Sequence, residues 1–92
     1  MIKMKLSEFI EKVQLELPHL SNKIKDKVIQ EEYGFVCKIG RYVVEFDSYA
    51  ENWLFCFDGL TGTEKTLLRA IHKVNSYFVF DVLSRRTRKI KR

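Results

Sequence analysis

Short chelating pairs are missing from this chain. Its two cysteines, Cys37 and Cys56, and two histidines, His19 and His72, are too scattered for any CxxC or HxxxH spacing. Structural zinc sites are ordinarily built on such pairs. GxSxG, HExxH and phosphate-loop motifs are absent as well, which removes the sequence signatures of nucleophile-elbow hydrolases, zinc peptidases and P-loop enzymes. A non-enzyme with no metal and no cofactor is the expectation. No apolar run approaches the ~20 residues of a membrane span, so a membrane partner is not expected. The start, Met1-Ile2-Lys3-Met4-Lys5, leads directly into a Glu-rich amphipathic stretch instead of a signal peptide. The two thiols are therefore expected to be free, in a reducing cytoplasm.

Proline occurs once and glycine four times in 92 residues, so each is a strong punctuation mark. Leu6, Phe9, Ile10, Val13 and Leu17 fall on one helical face. Ser7 is a candidate N-cap and Pro18 a stop, because the residue before proline is pushed out of the α region. A helix over Ser7–Leu17 follows. Residues 19–32 support only a short helical turn near 21–26 and an extended segment from about Val28.

Tyr33, Phe35, Cys37 and Ile39 alternate on one side, as do Tyr42, Val44 and Phe46. Gly40-Arg41 between them suits a two-residue turn with glycine first. Folding there pairs Ile39 with Tyr42, Cys37 with Val44 and Phe35 with Phe46 on one sheet face. A third strand covers Trp53–Phe57 and ends at Asp58-Gly59. Thr61 and Glu64 have the spacing of a capping box for a second helix over roughly 62–75, with Leu67, Leu68, Ile71 and Val74 as its apolar stripe. Asp58-Gly59-Leu60-Thr61-Gly62 could then cradle an anion at the helix start, although a strand-to-helix turn needs glycines for geometry alone. Tyr77–Leu83 reads as a fourth strand, with a helix extension as the alternative.

These elements describe a small two-layer α+β domain of order α-β-β-β-α, or α-β-β-β-α-β. A three- or four-stranded antiparallel meander carries two helices on one face. In such a meander Cys37 and Cys56 lie on strands two apart, beyond disulfide reach. The α-β-β-β-α order over about Leu6–Val74 is similar to that of the double-stranded-RNA-binding domain. In that family the last helix begins with a lysine cluster on phosphates. Gly62-Thr63-Glu64-Lys65-Thr66 stands here at that place, with one lysine and one opposing acid, so no function is carried over. A short Lys-, Glu- and Phe-rich chain with a basic arm also looks like the accessory proteins of viruses and mobile elements, which bind nucleic acid or inhibit a host protein.

Charge is the sharpest functional signal. Residues 85–92 hold six positive groups and no acid, whereas residues 1–84 hold 11 basic against 12 acidic groups (17 − 6 = 11). The chain thus divides into a nearly neutral domain, 1–84, and a basic C-terminal tail, 85–92. Phosphate backbones are the usual partner of so dense a cationic segment. The leading expectation is a nucleic-acid-associated accessory or regulatory protein using Arg85, Arg86, Arg88, Lys89, Lys91 and Arg92, with help from Lys23, Lys25 and Lys27. Such contacts position without reading sequence. The alternative is a protein-binding module whose aromatic sheet surface includes Tyr49, Trp53 and Phe55. A homodimer through a strand edge is compatible with either. An enzyme ranks third, with Glu45, Asp47, Asp58 and His72 as loose acid–base candidates.

Overall fold

A computed structural model describes residues 4–77. Helix α1 (Leu6–Glu16) is followed by a 3-10 turn (Pro18–Leu20), the short helix α2 (Ser21–Ile24) and a second 3-10 turn (Lys25–Lys27). Five strands come next: β1 (Val28–Glu31), β2 (Gly34–Ile39), β3 (Tyr42–Asp47), β4 (Asn52–Phe57) and β5 (Leu60–Glu64). Residues 67–77 form helix α3. The strands make one antiparallel meander in chain order.

The mixed α+β class and the single-faced helical layer agree with the sequence reading, and the strand count does not. The hairpin about Gly40-Arg41 has the expected register, with Ile39 opposite Tyr42, Cys37 opposite Val44 and Phe35 opposite Phe46. Gly40 takes the left-handed conformation that a leading turn glycine supplies (φ 57°). The second helix, however, does not begin near 62. Asp58 and Gly59 both have positive φ (51° and 86°), the requirement of a type I′ turn, for which Asp-Gly is a favoured pair. Leu60 therefore returns to pair with Phe57, and Leu60–Glu64 is a strand. No anion cradle exists at a helix start there. The cap of α3 is Thr66, whose Oγ1 accepts a hydrogen bond from the Arg69 amide at 3.2 Å.

The other additional strand is β1, which pairs with β2 through a turn at Glu32-Tyr33. Tyr33 thus belongs to a turn and not to the strand. Tyr77 is helical, contrary to a fourth strand starting there; residues 78–83 lie outside the described residues, as does the whole tail 85–92. Five strands, with β5 at the former helix start, also end the likeness in order to the double-stranded-RNA-binding domain. Ser7 makes no side-chain cap, since α1 already starts at Leu6 after Lys5.

Alternation places Phe35, Cys37, Val44, Phe46, Trp53 and Phe55 on the face that α1, α2 and α3 cover. Phe9 is fully buried there, stacked on Trp53 at 5.5 Å and packed on Phe35 at 5.3 Å. From α3 come Leu67, Ala70, Ile71 and Val74. Gly62 lets α3 approach closely, because a Cβ there would lie 3.0 Å from the Ala70 carbonyl oxygen and 3.2 Å from Val74. Leu68, assigned to the apolar stripe, is instead 46% exposed. Cys37 and Cys56 are both free. They point to opposite faces of the sheet, since Cys37 pairs with Val44 and Cys56 with its neighbour Val43.

Candidate functional site

No described polar or charged residue is buried, so any chemistry on this part of the chain is done at its surface. Two concavities mark that surface, one on each side of the sheet.

The first is a notch on the face that carries no described helix. Its geometry comes from one glycine. Antiparallel register lines up Glu31, Gly34, Asp47 and Asn52 in one row across four strands, and Ile29, Val36, Glu45, Leu54 and Thr63 in the next row on the same face. Gly34 has no side chain, so a gap opens between the flanking carboxylates of Glu31 and Asp47. Val36 and Leu54 form an apolar floor beside Glu45. The cavity holds about 370 Å³. Tyr33 borders it from the β1–β2 turn and meets the Tyr49 ring at a centroid distance of 5.0 Å.

Local hydrogen bonding holds this end of the sheet in place. Asp47 Oδ1 accepts from the amides of Tyr49 (2.9 Å) and Ala50 (3.2 Å), an Asx-type turn that shapes the β3–β4 loop. The Ser48 amide donates to the Tyr33 carbonyl at 2.6 Å and ties the two turns together. Glu31 and Glu45 form no ion pair among the described residues.

The second concavity, about 650 Å³, lies between the helical layer and the sheet, at the opposite strand ends. Leu17, Phe55 and Ile71 give it apolar walls, and Asn75 of α3 stands at its edge. His19 Nε2 lies 3.2 Å from the Tyr42 hydroxyl, with the two rings edge to face. This geometry explains the placement of His19: it closes the end of the helical layer over the sheet.

The acid–base candidates separate. Glu45 and Asp47 come together at the notch, Asp58 pairs with Arg41 at 3.7 Å on an exposed turn, and His72 is exposed on α3 in the other layer. No group of three potential metal ligands occurs among the described residues, nor is any described helix long and apolar enough to cross a membrane.

The binding candidates divide too. Lys23, Lys25 and Lys27 are all exposed around α2 and the following turn. None of them forms an ion pair among the described residues. Arg85, Arg86, Arg88, Lys89, Lys91 and Arg92 lie outside the described residues. Trp53 and Phe55 are only 5% and 3% exposed, which corrects their assignment to a contact surface: both point into the core, as the pleat requires once Phe46 and Val44 do. Tyr49 is the one aromatic of that trio on the surface. The extended segment expected from about Val28 is β1, but neither its pairing with β2 nor the turn at Glu32-Tyr33 follows from the sequence, and the notch depends on both. The available signal was Gly34 amid alternating strand residues, which often marks a close backbone approach.

No protein-family model matches this chain, and no curated protein or solved structure matches it either.

Proposed function

We propose that this is a non-enzymatic, nucleic-acid-associated accessory or regulatory protein of the cytoplasm, which grips the phosphate backbone through its basic C-terminal tail. The observation that carries the reading is the segregation of charge: six cations and no acid in residues 85–92, against 11 basic and 12 acidic groups in the remaining 84. Bound phosphates would release condensed counterions, a driving force independent of base sequence. Lys23, Lys25 and Lys27, exposed and without carboxylate partners among the described residues, supply a secondary cationic surface.

The rival protein-binding surface loses Trp53 and Phe55 to the core and keeps Tyr49, so it is the weaker reading. A titration of labelled single- and double-stranded oligonucleotides tests the proposal. The full-length chain should bind with a log–log salt slope of roughly −4 to −5 if all six tail cations meet phosphates. A variant with those six residues changed to Gln should lose that slope. Equal affinity of the two proteins at low salt would remove the tail from the mechanism.

A further inference from the structure

β1 leaves the sheet open at one side. It is an outer strand with β2 as its single neighbour, and Ile29, Gln30 and Glu31 are all exposed. Alternation decides which of its backbone groups are unused. The two-residue turns at Glu32-Tyr33 and Gly40-Arg41 close on Glu31–Gly34 and Ile39–Tyr42, and such closing pairs exchange both hydrogen bonds. Both turns give the same phase: Ile29 and Glu31 bond to β2, and Val28 and Gln30 turn their amides and carbonyls outward. Among the described residues, no backbone hydrogen bond outside the ladder reaches these two. β1 also lacks the usual protection of an edge, since its four residues include no lysine, proline or glycine. The opposite edge differs. β5 shows Thr61 and Thr63 to solvent, and its Glu64 is paired with Lys73.

We infer that β1 pairs antiparallel with β1 of a second copy about a two-fold axis, joining two sheets edge to edge. The strand's own sequence selects a second copy. Outward groups must meet outward groups, so within the paired segment the axis passes through Val28, Ile29 or Gln30 and never between two residues. Only Ile29 gives a complementary contact. Centred there, Val28 pairs with the partner's Gln30 on both sides of the axis, which uses every outward group of the strand. Ile29, 56% exposed in the single chain, then faces the partner's Ile29 at the close spacing of a non-hydrogen-bonded pair. Lys27 comes opposite the partner's Glu31 at each end, cation against anion. An axis through Gln30 would set Ile29 against the partner's Glu31, and one through Val28 would set it against the partner's Lys27. Asp26 and Glu32 come level one step further out, where the 3-10 turn and the β-turn end the ladder.

Neither the basic tail nor its proposed hold on phosphate contributes to this contact. Full-length protein, freed of nucleic acid by a high-salt wash, is followed by sedimentation over a range of concentrations at one fixed salt. Two four-residue strands make a small contact of the transient kind, so a dimer should appear as concentration rises. Ile29→Lys places like charges against each other on the axis and should weaken the dimer by about tenfold or more. Thermal melts verify that each variant is folded.

Charge reversal separates a second copy from any other occupant of the edge. Lys27→Glu and Glu31→Lys each oppose like charges at both ends of the pair, and each should weaken self-association by about tenfold or more. Mixed in equal amounts, the two variants regain both attractive contacts and should form a mixed dimer with the affinity of the wild type restored. Lys23→Glu mixed with Glu31→Lys carries the same net charges, with the reversal moved to exposed α2, and should not. An edge filled by the chain's own residues gains nothing from such mixing. A wild type that stays monomeric at every concentration overturns the inference. So does a dimer that Ile29→Lys leaves intact, or a mixture of Lys27→Glu and Glu31→Lys that associates no better than the Lys23→Glu control. Loss of oligonucleotide binding alone would instead sink only the phosphate reading.

Discussion

Gly34 is the residue on which the β2–β3 contact and the notch both depend. A Cβ at this position would run into the Phe46 carbonyl oxygen, which is backbone and cannot swing aside. Gly40, by contrast, has open space around its missing Cβ and only its left-handed φ of 57° to protect. Gly34→Ala should therefore cost about 3 kcal/mol or more, with strand displacement. Gly40→Ala should cost only about 1–2 kcal/mol, the dihedral penalty by itself. Urea titrations of the two variants give the comparison, and equal losses would mean that β2 shifts freely against β3.

Cys37 supplies a pH dependence. It is 2% exposed on the core face, and burial pushes its thiol above the ordinary value. The folded chain thus holds this proton more tightly than the unfolded one. Its contribution is fully present below the thiol's ordinary pKa and is lost as pH rises through the raised one. Cys37→Ala lacks this linkage and is less stable at neutral pH through the small cavity it leaves. The stability gap between wild type and Cys37→Ala should accordingly narrow as pH is raised, in urea unfolding at matched ionic strength. A gap independent of pH would show that the thiol ionises as easily in the fold as outside it.

At the scale of elements, the start of α3 shows how two local signals compete. Thr61 and Glu64 have capping-box spacing, and so argue for a helix. Asp58-Gly59 argues for a hairpin, and both its residues reach the positive φ a type I′ turn demands. The hairpin prevails because β5 completes the backbone hydrogen bonding of β4 and buries Gly62 under α3. The working cap is Thr66. Thr66→Ala should lower stability by about 1 kcal/mol, whereas Thr61→Ala, at an exposed strand position, should cost about half a kcal/mol or less. Thermal or chemical denaturation of both variants decides between the caps.

α1 and the hairpin of β2 and β3 were legible in advance for physical reasons. Their apolar residues repeat at helical and at two-residue spacing, and Pro18 and Gly40 mark their ends. β1 was legible only as an extended segment from about Val28, not as a partner of β2. Its four residues, Val28–Glu31, are half-buried or exposed, so they carry no alternating apolar pattern, and their strand geometry is imposed by pairing with β2. The notch had the same obstacle: Glu31, Glu45 and Asp47 are up to 16 positions apart in sequence (47 − 31), and only the register of β1, β2 and β3 brings them to one face.

For the whole molecule, the meander implies a gradient of stability. β3 is paired along all six residues on both sides, while β1 is a four-residue edge with Ile29 56% exposed. Native-state hydrogen exchange should find the slowest amides in β3 and its neighbours and the fastest sheet amides in β1. Uniform protection across the five strands would mean that the sheet opens only with global unfolding.

By itself the sequence determined the class of fold, the central hairpin with its register, the free thiols and the unequal distribution of charge along the chain. These follow from local periodicity, turn chemistry and composition, which need no distant partner. Tertiary structure alone decided the strand count, the burial of Trp53 and Phe55, and the gathering of three carboxylates around Gly34. Each of those depends on which strands become neighbours, and strand neighbours are chosen by long-range pairing and by which face the helices cover.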